Sequence, residues 1–91
     1  MNDLKYLTRI FKALANLSRL KIIQLLKQGK EMAVTDIAIK IHVTVTGTSK
    51  HLIHLEKMDI LERSGRAGQV FYSLNKNMDQ NIHSILNKFL N

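Results

Sequence analysis

Cysteine is absent from this 91-residue chain, which excludes disulfides, thiolate metal sites, iron–sulfur ligation and thiol redox sensing in one step. Proline is absent too, so four glycines and the polar clusters are left to punctuate the chain. With no tryptophan, three Phe and two Tyr, there is no evident aromatic platform for stacking unpaired bases, which argues against single-stranded RNA as the partner. No run approaches the roughly eighteen apolar residues of a membrane span. Asp3 stands close to Lys5 with no signal-peptide core behind them, so a soluble, unprocessed, cytoplasmic protein without membrane contact is expected. Acidic residues are also scarce: seven Asp and Glu face fourteen Lys and Arg, for a net charge of +7 and a pI near 10.0. A polyanion is the partner this balance suggests, nucleic acid first, and the plain alternative is a solubilising surface charge.

What is present is enough for one folded unit. Apolar residues make up 45% of the chain and charged residues 23%, the range of a globular domain, so residues 1–91 are expected to form a single domain of 10.4 kDa, small enough to gain from a partner chain. Leu4, Leu7, Phe11, Leu14 and Ala15 recur at spacings of three and four and predict a first amphipathic helix over 4–15. Asn16 and Ser18 offer capping oxygens to a second, ending near Gly29, whose apolar residues cover more than one face and place it centrally. A third helix is expected from Val34 to Ile41, with Thr35 or Asp36 near its start. After the short break at His42, Val43 and Thr44, a fourth runs from Val45 to about Met58, capped by Thr44 and facing inward through Leu52 and Leu55. Two short helices joined so tightly form a helix-turn-helix, a corner that also occurs in bundles that never touch DNA.

The next segment supports the DNA-binding version of that corner. Leu61 to Arg63 and Val70 to Leu74 read as short strands around a tip of Ser64, Gly65, Arg66, Ala67 and Gly68. Met78, Ile82, Ile85, Leu86, Phe89 and Leu90 then give a fifth helix with a wide apolar stripe. The expected fold is mainly α with a small β-hairpin. The chain carries no internal repeat.

In this order the residues resemble the ArsR-type winged helix-turn-helix repressors. The likeness covers about Phe11 to Leu74. It begins at Phe11-Lys12-Ala13-Leu14-Ala15-Asn16 with Ser18-Arg19-Leu20, similar to F-K-A-L-A-D-P-T-R-L, and includes Thr35-Asp36-Ile37-Ala38. Thr48-Ser49-Lys50-His51-Leu52 is similar to V-S-R-H-L, and Gln69-Val70-Phe71-Tyr72-Ser73-Leu74 to a wing ending in V-Y-Y-x-L. Three departures stand out. Leu17 replaces the usual Pro at a helix first turn, which loses preset geometry but no hydrogen bond. His42 replaces the usual corner Gly, and His tolerates positive φ better than most residues. Gly47 sits inside the recognition helix at a cost of about 1 kcal/mol relative to Ala. It either permits close approach to DNA or is a weakness.

The resemblance implies a homodimeric, sequence-specific repressor of double-stranded DNA. By that likeness Thr46, Ser49 and Lys50 match DNA-contacting positions, and Val45 replaces a common Gln and is suited to a thymine methyl. Lys50 suits a guanine edge or a phosphate, while the hydroxyls also have the plain reading of capping and solvation. His51 is either a phosphate donor or a packed residue supporting the corner. Arg66, on a glycine-flanked tip, is suited to a minor groove, with Gln69 and Arg63 beside it on the strands. Lys21, Lys40 and Lys57 sit on helix surfaces where a Lys is usually just solvated.

The first and fifth helices form the dimer interface in the family, which assigns Leu4, Leu7, Phe11, Ile82, Ile85, Leu86 and Phe89 to it here. The alternative is that both stripes fold onto their own core. Many relatives bind metal through a pattern like E-L-C-V-C-D-L. The matching Glu31 to Ile37 has Ala33 and Thr35 at the cysteine positions, and neither replaces a thiolate. A second family site draws on carboxylate and His ligands of the last helix. Asp79 and His83 share a face there, but the more distal partners are missing, and an ordinary intrahelical pair is the simpler reading. His42, His54 and His83 have no spacing that specifies a cluster. No cofactor, no metal and no obvious small-molecule effector are therefore expected.

Two other classes compete. A winged-helix protein-interaction module would use the same surfaces to meet an acidic protein without specific DNA binding. An enzyme is disfavoured: no phosphate loop or nucleophile–base set can be assembled, and Ser49 and His51, at i and i+2 of a helix, do not face each other.

Overall fold

The computed structural model describes residues 3–90; Met1, Asn2 and Asn91, the ends of the expected 1–91 domain, lie outside the described residues. Five helices and three strands follow in the order α1 (Leu4–Leu14), α2 (Leu17–Leu26), β1 (Met32–Ala33), α3 (Val34–Ile41), α4 (Val45–Lys57), β2 (Leu61–Arg66), β3 (Gln69–Leu74) and α5 (Gln80–Phe89). Polar side chains set four of the helix starts. Asp3, Asn16, Thr44 and Asp79 each accept a backbone N–H from the first turn of α1, α2, α4 and α5 respectively. Helix α3 spans the expected Val34–Ile41. Its start carries no side-chain cap, because Thr35 and Asp36 lie inside its first turn and Ala33 precedes it as the second residue of β1.

Left-handed residues follow α2 and α4. Gly29 closes α2 with φ +75°, as expected of a glycine stop. Asp59, with φ 57°, lets Ile60 N–H reach back to Leu55 O at 3.0 Å after α4.

The sheet is antiparallel in the order β1-β3-β2. Met32 pairs with Tyr72 and Ala33 with Phe71 on one side, and β2 pairs with β3 from Leu61–Leu74 to Arg66–Gln69 on the other. Strand β1 was not foreseen. Two residues are too short to show an alternating pattern, and only the partner edge of β3 draws them into the ladder. The hairpin is also longer than its sequence suggests. Ser64, Gly65 and Arg66 belong to β2, and the turn narrows to Ala67 and Gly68, both with positive φ (51° and 76°), the geometry that matches strand twist.

The core lies between α2 and everything around it. Ile22, Ile23 and Leu26 are fully buried on α2, against Ile10 and Leu14 of α1, Ile37 of α3, Leu52 and Leu55 of α4, and Ile82 and Leu86 of α5. Each such side chain contributes roughly 1.5–3 kcal/mol of burial. This central role follows from a helix with apolar residues on more than one face. It positions α4 with one face sealed and the other free.

Candidate nucleic-acid interface

The corner between α3 and α4 is built by three adjoining residues. His42 takes up φ 59°, ψ 44°, and this left-handed step lets Val43 N–H bond to Ala38 O at 3.2 Å, closing the last turn of α3. Thr44 then turns its Oγ1 to accept Gly47 N–H at 3.0 Å and starts α4. A Cβ on Gly47 would stand 3.0 Å from both Thr44 Oγ1 and Val43 Cγ1. Gly47 thus leaves room for the capping hydroxyl and the corner valine.

That corner orients the faces of α4. Thr48, Leu52 and Leu55 are buried, while Val45, Thr46 and Lys50 are exposed and Ser49 is half-buried between the two sets. Gln69, exposed at the start of β3, joins Val45 and Ser49 around one notch between α4 and the hairpin. Two of the expected DNA residues, Val45 and Ser49, thus border one notch with Gln69, Thr46 and Lys50 are exposed on the same helix, and two others are engaged elsewhere.

Arg66 is the first of these. It is a strand residue paired with Gln69 and not a tip residue, and its guanidinium folds back so that Nη1 lies 2.6 Å from Glu31 Oε1 and Cζ sits 4.2 Å from the Phe71 ring centre. No sequence signal pairs Glu31 with Arg66, because their meeting depends on β1. Arg63 is likewise engaged, 3.6 Å from Glu56 Oε2, and Tyr72 OH donates to Glu56 Oε1 at 3.4 Å, tying the hairpin to α4. Burial first, then the Glu56 charge, push the Tyr72 phenol above its ordinary 10.0.

His51 is the second. It is half-buried against Arg19 of α2, whose Nη1 lies 3.4 Å from His51 Nδ1. Burial lowers the His51 pKa from its ordinary 6.5, and the nearby Arg19 and His54 lower it further, so the neutral ring accepts at Nδ1. The same guanidinium donates through Nε to Ala13 O at 2.6 Å and through Nη2 to Lys12 O at 2.9 Å. Arg19 closes the C-terminal carbonyls of α1 and braces α4 at once. The sequence placed it only within a motif; its fork of donors beside a helix end was the available clue.

Residues 16–63, more than half of the chain, match the arsR family of bacterial regulatory proteins. The chain belongs to the ArsR family. It is 29% identical over 85 residues to the transcriptional repressor SdpR of Bacillus subtilis, covering 93% of each. Against the cadmium resistance transcriptional regulatory protein CadC of Listeria innocua it is 36% identical over 76 residues, 84% of this chain and 63% of CadC. Among solved structures it is similar to the homodimeric winged helix-turn-helix DNA-binding domain of a Mycobacterium bovis protein, with a TM-score of 0.79, 28% identity, and 93% and 75% of the two chains covered. The hairpin β2–β3 is accordingly the wing of an ArsR-family winged helix-turn-helix transcriptional regulator, and α4 its recognition helix.

Positions tied to metal in other ArsR-family proteins hold other chemistry here. Ala33 is buried in β1 and Thr35 lies exposed on the first turn of α3, so the cysteine-type site does not fit these residues. Asp79 spends one oxygen on the Asn81 N–H at 2.7 Å and the other on Tyr6 OH at 3.4 Å, linking α5 to α1, while His83 Nδ1 lies 3.2 Å from Asn87 Nδ2.

The helices expected to pair two ArsR-family protomers divide their apolar residues. Ile82 and Leu86 are only 2% and 4% exposed, since α5 turns them into its own protomer's core. Leu4, Phe11 and Phe89 remain open at 73%, 54% and 71%, with Leu7 and Ile85 half-buried beside them. Phe11, Leu20, Ile85, Phe89 and Leu90 border an apolar groove of about 500 Å3. Lys27, the residue after α2, donates to the Leu86 and Leu90 carbonyls and ties the end of α5 to α2.

Proposed function

We propose that this regulator is a homodimeric repressor whose single domain, residues 1–91, sets α4 in the major groove of each half of an imperfect palindrome, with the wing against the adjoining minor groove. The observation that carries the reading is the division of α4. Its first two turns offer Val45, Thr46, Ser49 and Lys50 outward while Thr48, Leu52 and Leu55 anchor the helix in the core. The +7 charge supplies the sequence-independent attraction to phosphate. Gln69 flanks the helix, and Arg66 joins when a phosphate replaces Glu31 as its partner. His51 acts through Arg19 to hold the helix in place. Repression and pairing are drawn from the names of SdpR and the homodimeric Mycobacterium bovis domain, and pairing also from Leu4, Leu7, Phe11, Ile85 and Phe89. Such a regulator works in the cytoplasm, beside the chromosome, and nothing in this reading calls on catalysis, a cofactor or a small-molecule effector.

Titration of labelled duplexes at several salt concentrations tests it. Binding should weaken steeply with salt, and Lys50→Ala should lower affinity and, if Lys50 meets a phosphate, reduce the salt slope by about 1. The fold should be spared, with stability within about 0.5 kcal/mol of the parent. A Lys50→Ala protein that binds as the parent does contradicts the site.

A further inference from the structure

The notch between α4 and the wing is apolar where the rest of the groove-facing surface is polar. Ala33, Val34, Val45 and Val70 line it together with the polar Thr35, Ser49 and Gln69 and the turn residue Gly68, around a space of about 320 Å3. Val45 is 49% exposed and Val70 39%, so both leave methyl groups in water. The exposure of Val70 has a specific origin. Its cross-strand neighbour is Gly65, and cross-strand neighbours share a face of the sheet, so β2 brings no side chain over it. Backbone geometry does not demand that glycine. Gly65 has no positive φ, and a Cβ there would meet only Gln69 O, at an ordinary 3.8 Å.

Only one apolar group projects from base pairs into the major groove, the 5-methyl of thymine, and beside it lies the O4 acceptor. A valine at the first turn of a recognition helix can neither donate nor accept, so a methyl is the only feature through which Val45 can discriminate. We propose that the notch seats a thymine 5-methyl between Val45 and Val70, with the Ser49 hydroxyl or the Gln69 amide donating to O4, and that this selects one T·A pair per half-site. The inference rests on the DNA-binding reading above and adds the wing, through Val70, to what specifies the base.

Selection of bound duplexes from a random pool by the full chain, followed by replacing thymine with uracil one position at a time, tests it. Uracil keeps O4 and lacks only the methyl. One thymine in each half-site should lose about fourfold in affinity on conversion, the effect of one buried methyl group. Val45→Ala and Val70→Ala should each bring that thymine-to-uracil ratio towards one. Should a truncated valine loosen the local fold, Gly65→Leu gives the same reading by covering Val70 from a position where a Cβ has room. An enriched pool whose uracil scan is flat at every position overturns the notch alone, as does a ratio unchanged in both valine variants. A pool from which nothing is enriched overturns the DNA-binding reading and the notch with it.

Discussion

Thr48 is the one polar side chain in the core among the described residues, fully buried on α4, and its hydroxyl has no hydrogen-bond partner. The similar family segment has Val at this place. A buried hydroxyl without a partner costs on the order of 1–3 kcal/mol of desolvation, and valine has nearly the same shape. Thr48→Val should therefore raise the urea midpoint, by a stability gain of about 1 kcal/mol, with the m-value unchanged. A fall in stability would show that Thr48 has a partner in solution. His42 and Ala67 show a related tension, since both hold positive φ without being glycine. At His42 the resemblance anticipated this, because His42 stands where the family's corner usually has Gly. At Ala67 it did not, because the five-residue tip read from the glycines hid a turn of only Ala67 and Gly68.

At the scale of elements, α4 and the wing are each held by a polar tie that the sequence did not reveal. The tie on α4 runs through a neutral His51, whose depressed pKa gives stability a defined pH dependence. The unfolded chain takes up the His51 proton more readily than the folded one, so stability is retained above about pH 6.5, the ordinary value, and falls as pH drops below it toward the lowered folded pKa. His51→Gln, which keeps an acceptor for Arg19, should show a smaller loss of stability between pH 7 and about pH 5 than the parent in chemical denaturation. Identical profiles would mean that His51 is not the group responsible. The tie on the wing is Arg66 with Glu31, a half-exposed pair that contributes at most about 1 kcal/mol to folding. Its larger consequence under the proposed reading is competition, because a DNA phosphate that pairs with Arg66 has to displace the Glu31 carboxylate. Glu31→Gln should strengthen duplex binding by roughly three- to tenfold at low salt, less at high salt, since it removes both the competitor and a like charge near phosphate. Unaltered affinity would place Arg66 outside the interface. Helix periods made α1, α3 and α4 legible to within a residue or two and α2 to within about three, for these signals are local. Strand β1 and the Arg66–Glu31 contact depend on pairing between distant segments, which no local pattern carries.

For the whole molecule, a 41 × 24 × 23 Å protomer with +7 charge gives one recognition helix. Pairing about a two-fold axis gives two, suited to half-sites about one helical turn, roughly 34–36 Å, apart. The apolar periods of α1 and α5 were legible as stripes, but their division was not. Spacing says that Ile82, Ile85, Leu86 and Phe89 share a face; packing into the common core decides that Ile82 and Leu86 turn inward and that Phe89 stays outside with Leu4 and Phe11. Sedimentation of the free chain and of its complex with a selected duplex measures the outcome directly. The account predicts a free dimer and two chains per duplex. A monomeric free chain that loads one copy per duplex, with no second copy at higher protein concentration, would contradict it.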